Sequence, residues 1–316
     1  MTLVRSLRNG FWFAPFLLAN PVWSQRIPLT PSLHAGQTLI YQIELSGSRS
    51  TKVESQVTAP QSPPSTDLNA FCLLQVDVEE ASAAGFRLKT YLSEKNSARS
   101  SQKSSSDQIT SAPDKLVEVR IARSGSASQI EGFDKLSAAQ QYAWNAWLSR
   151  FTSSMTFPKS GLRRGQRWET SEPETSPSPI AGLSWERKHE YVKPEACTPG
   201  RNAATDKIGK AQATSEMCAI IFVRARLRQK SSPKNTTPQD YELRGLTTSG
   251  IATGGNETVL YISANTGILV RSTEDVQQSM DVTVALKDGS NQVRYRINAR
   301  SHSQIQLLPD VPQDIR

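Results

Sequence analysis

The chain has 316 residues, enough for one large domain or two small ones, with a hydrophobic fraction of only 37% and a formal net charge of +8. Its basic residues are scattered. The densest groups, Arg224-Ala225-Arg226-Leu227-Arg228 and Arg163-Arg164 with Arg167, are short, and the first alternates with apolar residues as the solvated face of a strand does. Such a pattern argues against nucleic acid as a partner.

In chain order the first expected element is an export signal over residues 1–24. Arg5 and Arg8 form a positive start, and no acidic residue precedes Glu44. Phe11 to Leu18 is an apolar run, shorter than the ~20 residues that a membrane span needs. Val22-Trp23-Ser24 places small or aliphatic residues where a signal peptidase reads them, so cleavage is expected before Gln25. Losing two arginines and no acid would lower the charge from +8 to +6. The mature chain, residues 25–316, is expected in the periplasm or outside the cell, with no transmembrane segment.

Period-two alternation dominates the mature chain. Leu39, Tyr41, Ile43 and Leu45 form one strand, Leu74, Val76 and Val78 a second, Phe86, Leu88 and Thr90 a third, and Leu116–Ala122 a fourth. Residues 59–67 and 94–113, rich in Pro or Ser, read as loops.

The pattern then changes. Ser137 and Gln140 have the spacing of a capping box, and Tyr142, Trp144, Trp147, Leu148, Phe151 and Met155 recur at helical spacing until Pro158. A helix over 137–157 is predicted. Its aromatic stripe must be buried, either as core or with Trp144, Trp147 and Phe151 lining a cavity for an apolar ligand.

After residues 172–179, another Pro-rich loop, strands are expected at 183–192, 218–227, 241–253, 257–263, 268–273, 280–286 and 293–308. Asn265-Thr266-Gly267 and Asp288-Gly289 supply hairpin turns. Gly254-Gly255 reads as a further turn, and 199–215 and 230–239 as loose hairpin tips. The fold class is mainly β: a large curved antiparallel sheet or incomplete barrel of ten to twelve strands around one helix.

There is also an internal echo. Leu33-His34-Ala35-Gly36-Gln37-Thr38-Leu39 matches Leu162-Arg163-Arg164-Gly165-Gln166-Arg167-Trp168 as L-x-x-G-Q-x-apolar. If it reflects structure, the chain has two related halves, 25–136 and 159–316, joined by the helix.

Three cysteines in an exported protein permit one disulfide. Cys72 lies in a strand-like apolar run, whereas Cys197 and Cys218 flank a Lys/Gly/Ala-rich loop. A Cys197–Cys218 bridge is expected, with Cys72 buried and free.

No constellation carries catalysis. His34, His189 and His302 stand alone, without metal-ligand spacing, and no serine elbow or phosphate loop is present. Neighbouring acids such as Glu79-Glu80 and Glu274-Asp275 point to opposite faces of a strand. Trp185, Arg187, His189 and Tyr191 share one strand face, read as a polar one. Catalytic residues, metal ligands and cofactors are therefore expected to be none.

The segment Val259-Leu-Tyr-Ile-Ser-Ala-Asn-Thr-Gly-Ile-Leu-Val-Arg-Ser272 resembles the strand-turn-strand of periplasmic lipoprotein-carrier half-barrels, in which an incomplete barrel wraps helices. The likeness implies a lipid, another hydrophobic ligand or an envelope protein as partner, held on the concave face. More broadly the chain resembles secreted β-rich proteins of Gram-negative bacteria. The expected function is a non-enzymatic envelope protein that binds a hydrophobic molecule. The rivals are a structural module with a packed core and a hydrolase with dispersed residues.

Overall fold

A computed structural model describes residues 26–55, 65–95, 115–174, 178–197 and 216–308. The expected signal peptide and the loop 199–215 lie outside the described residues, as do most of the loops at 59–67 and 94–113.

The strands are β1 (Thr38–Ser55), β2 (Thr66–Ala81), β3 (Gly85–Lys95), β4 (Lys115–Ala122), β5 (Ala127–Glu131), β6 (Arg167–Pro173), β7 (Leu183–Ala196), β8 (Met217–Gln229), β9 (Leu246–Ser263), β10 (Leu269–Leu286) and β11 (Val293–Leu307). Helix α1 (Ala138–Phe151) joins β5 to β6, and the short α2 (Gln239–Leu243) precedes β9. All eleven strands form one antiparallel sheet in the order β5-β4-β3-β2-β1-β11-β10-β9-β8-β7-β6. The chain enters at mid-sheet, runs outward to one edge, crosses by α1 to the other and returns until β11 pairs with β1. The sheet is not closed: β5 and β6 are its edges. One core cluster draws on strands from both sides of the crossing, from Leu74 and Val119 to Ile221 and Leu260.

The two echoing segments build the same turn. Gly36 and Gly165 both adopt positive φ, 83° and 76°, which favours glycine. The backbone N–H of Gln37 donates to the His34 carbonyl at 3.1 Å, and that of Gln166 to the Arg163 carbonyl at 2.9 Å. Each Gln side chain accepts in return, from the N–H of His34 at 3.2 Å and of Arg163 at 3.0 Å. Each Gly donates to the strand after next, Gly36 to Val78 and Gly165 to Tyr191. One physical device thus starts β1 and β6.

Helix α1 begins as expected: Ser137 Oγ accepts from Gln140 N–H at 3.2 Å, and Gln140 Oε1 accepts from Ser137 N–H at 2.9 Å. It ends earlier than the spacing predicts. The hydroxyl of Thr152 takes the Leu148 carbonyl at 2.9 Å, and Ser153–Thr156 tightens into a 3-10 turn before extended Phe157.

Four other expectations need correction. Residues 241–253 do not form one strand: α2 occupies the start and β9 begins at Leu246. Gly254-Gly255 is no turn but lies within β9, which runs on through 257–263, as β10 joins 268–273 to 280–286. The apparent breaks arise because polar Asn256 and Glu274 occupy inward positions. A Cβ on Gly254 would stand 3.2 Å from Trp185 Cη2 and Leu227 Cβ, so glycine there admits the indole. Residues 230–239 are not loose. Thr236 is fully buried, its hydroxyl is 3.0 Å from that of Thr248, and its carbonyl accepts from Ala181 N–H at 2.7 Å. Last, β5 is a strand without a signal in sequence, because its residues lack alternation.

Candidate functional site

Register places the helix-side residues in rows across the sheet. Deepest among them, Cys72, Ile43, Ile305, Ser272, Leu260, Ile221 and Tyr191 lie side by side. Against such apolar rows sits the stripe of α1. Trp144 and Trp147 are fully buried and Phe151 is 2% exposed. The Trp147 and Phe151 rings stack at 4.9 Å, Tyr41 meets Trp147 at 6.1 Å, and Trp144 Nε1 donates to Thr90 Oγ1 at 2.9 Å. The structure brings the three ring residues together as packed core.

The next row is polar: Leu45, Ser303, Glu274, Thr258, Val223, His189 and Trp168. Arg150, on the last turn of α1 and only 4% exposed, donates from Nη2 to Glu274 and to Ser303 Oγ, the latter at 2.6 Å. Glu274 in turn accepts from Asn256 and, at 3.2 Å, from Thr258. A cation and an anion removed from water are tolerable only when paired and hydrogen-bonded. The network supplies the pairing and satisfies Arg150 Nη2, while Arg150 Nη1 is buried without a hydrogen-bond partner among the described residues.

His189 belongs to this buried inward face rather than to a polar surface. It is 5% exposed, lies flat against Trp168 at 5.0 Å, and shares a hydrogen bond with Thr170 Oγ1 at 3.0 Å. Burial first, and the nearby Arg187 charge second, push its pKa down to about 4. A neutral, stacked imidazole bonded to a threonine has the geometry of a packed residue. Among the described residues, no group of three or more His, Cys, Asp or Glu is placed to hold a metal ion.

Beyond the polar row the sheet continues. Tyr142 Oη shares a 2.8 Å hydrogen bond with Ser301 Oγ, at the rim of the helix footprint. The row of Ser301 holds Leu68, Gly47, Val276 and Asn256. Above it come Thr66, Arg49, Ala299, Gln278 and Gly254, and then Thr51, Ile297, Met280 and Ala252. Tyr295 and Val282 form the next row. On this wall Leu68, Val276, Met280, Tyr295 and Ile297 are only half-buried. Met280 and Tyr295 lean on a small cluster of Ile180, Leu183, Ala252 and Val282. At the Arg49 level an open groove of about 760 Å³ crosses β1, β11, β10 and β9. It is lined mainly by the outward-facing rows of Ser48, Arg300, Gln277 and Gly255 and of Ser50, Asn298, Ser279 and Thr253, so it does not belong to the helix-side wall.

Sequence reasoning missed this wall. Its signal was there: Met280, Val282, Tyr295 and Ile297 keep the inward period of their strands, but they sit past the point where the helix runs out.

The outward positions carry the opposite chemistry. Arg87 bridges Glu79, Glu80 and Glu118, so the neighbouring Glu79 and Glu80 meet one cation rather than pointing to opposite faces, where the ladder shifts register between Val78 and Glu80. Arg224 pairs with Glu257, Arg228 with Glu186, and Arg294 with Asp281. The disulfide is at the far ends of β7 and β8, where Cys197 and Cys218 are joined with Cα atoms 4.8 Å apart; Cys72 is a buried free thiol.

Neither a family model nor a curated protein matches the chain. Among solved structures, the outer membrane protein OprG from Pseudomonas aeruginosa aligns over 90% of this chain and 100% of its own, at 6% identity and a TM-score of 0.22. An outer membrane channel from Pseudomonas putida F1 aligns over 88% of this chain and 98% of its own, at 8% identity and a TM-score of 0.20. Scores of that size carry no argument. The faces decide more: a lipid-embedded barrel is apolar outside and polar within, whereas here ion pairs line the outside and the apolar core lies within. No helix among the described residues is long and apolar enough to cross a membrane.

Proposed function

We propose that this chain is an exported, non-enzymatic protein of the bacterial envelope that binds a hydrophobic molecule on the concave side of its sheet. The observation that carries the reading is the half-buried apolar wall of Leu68, Val276, Met280, Tyr295 and Ile297 beyond the helix. Apolar side chains in register on a concave, helix-side face are what a hydrophobic ligand needs. The charged convex face and the export signal expected over residues 1–24 support an aqueous envelope compartment.

In this reading Trp144, Trp147 and Phe151 contribute indirectly. They hold α1 down as the floor of the site, and a ligand meets the wall above. The rival, a module with a packed core and no ligand, draws on the same complete burial of the three rings. The two part company in a titration with the neutral probe N-phenyl-1-naphthylamine. Binding by the wild type, weakened about fivefold or more in Ile297→Gln or Met280→Gln at unchanged far-ultraviolet circular dichroism, supports the wall. Absence of probe binding by a cooperatively unfolding wild type leaves the packed module.

A further inference from the structure

The inward face carries cations as well as apolar groups, and their pairing is uneven. Arg150 is matched by Glu274, and Arg187 lies 3.5 Å from Glu172. Arg49, in the row that separates Leu68 and Val276 from Ile297 and Met280, has no carboxylate within ion-pair distance among the described residues, and it is exposed. Its row neighbours are Thr66, Ala299, Gln278 and Gly254, small or neutral hydrogen-bonding groups. One row further on begins the apolar stretch of Ile297 and Met280, with Tyr295 beyond it. Neighbouring strands lie about 4.8 Å apart, and same-face rows are roughly 7 Å apart along a strand. A cation and an apolar strip are thus set about one headgroup's length apart.

Resting on the binding function proposed above, we infer that the ligand is an anionic amphiphile with a single acyl or alkyl chain, its acid group on the Arg49 guanidinium and its chain along Met280, Ile297 and Tyr295. A guanidinium presents a fork of donors that matches a carboxylate or phosphate. The row neighbours of Arg49, namely Thr66, Ala299, Gln278 and Gly254, carry no acid that would repel an anion. The wall is two or three residues deep, which suits one chain better than a bilayer-forming pair.

The test compares a fluorescent fatty acid, cis-parinarate, with its uncharged methyl ester on the full-length mature protein. The acid is expected to bind the wild type at least fivefold more tightly than the ester, with the preference shrinking as salt screens the exposed arginine. Arg49→Gln should erase the preference by weakening the acid alone, Arg49→Lys should keep part of it, and Arg300→Gln, on the opposite face, should leave it unchanged. Equal binding of acid and ester by the wild type overturns the anionic assignment while the hydrophobic site stands. Failure of both probes overturns the site and the assignment together. An acid preference retained in Arg49→Gln also defeats the assignment, because some other group then carries it.

Discussion

Arg150 on α1 donates to Glu274 on β10, joining the helix to a strand 124 residues further along the chain. The pair is buried on the helix side at 5% and on the strand side at 17% side-chain exposure. Removing one partner leaves the other charged in a place that water barely reaches. Arg150→Ala or Glu274→Ala should therefore each cost about 3–5 kcal/mol in denaturant unfolding. Replacing both, as Arg150→Met with Glu274→Leu, should cost far less than the sum. Additive losses in that double-mutant cycle would show that the pair does not act as a unit.

The aromatic floor is tested by truncation. Trp147→Ala empties a site walled by Tyr41, Trp144 and Phe151 and should destabilise the fold by about 3–5 kcal/mol. Trp144→Phe keeps most of the volume but orphans Thr90 Oγ1 from its indole donor, a loss of about 1 kcal/mol. A Trp147→Ala protein as stable as the wild type would mean that the ring borders open space.

His189 couples stability to pH. Its folded pKa of about 4 lies below the ordinary value of 6.5, so the unfolded chain binds the extra proton between those limits. Stability from the neutral, buried ring is complete above about pH 6.5 and is lost as pH falls towards 4, by roughly 2–3 kcal/mol. His189→Gln should flatten the unfolding free energy across that window. An NMR titration placing the imidazole near its ordinary pKa would remove the effect.

The bridge between Cys197 and Cys218 closes a loop with a sequence separation of 21. On the chain-entropy account its loss, in Cys197→Ala/Cys218→Ala, should cost about 3 kcal/mol. The Cys72 thiol, fully buried and pushed up to about 11 by burial and by Glu94, should resist alkylation until the protein unfolds. Non-reducing peptide mapping reads both outcomes, and a bridge containing Cys72 would contradict them.

Export makes its own prediction. Protein recovered from the periplasm should begin at or near Gln25 on N-terminal sequencing, and an intact Met1 in that fraction would refute the signal.

Local rules were enough for much of this protein. Alternation along Leu39–Leu45 and Leu74–Val78 specifies strands with one buried face, because side chains on a strand point alternately to its two sides. The Ser137–Gln140 pair specifies where the helix starts, and L-x-x-G-Q at two sites specifies one turn, because each needs only residues within a few positions. Which faces meet is a different matter. That β11 returns to β1, leaving β5 and β6 as open edges, depends on chain ends hundreds of residues apart. The same holds for the ion pair of Arg150 with Glu274, where each residue alone reads as a surface charge. It holds too for His189, which has the sequence context of a polar strand face and the burial of a core ring. Tertiary packing alone decided that the helix covers only the lower rows of the sheet. The wall of Met280, Tyr295 and Ile297, apolar in sequence like any core strand, stays half-buried because the helix stops short of it and only the small cluster around Ile180 and Leu183 leans on its far end.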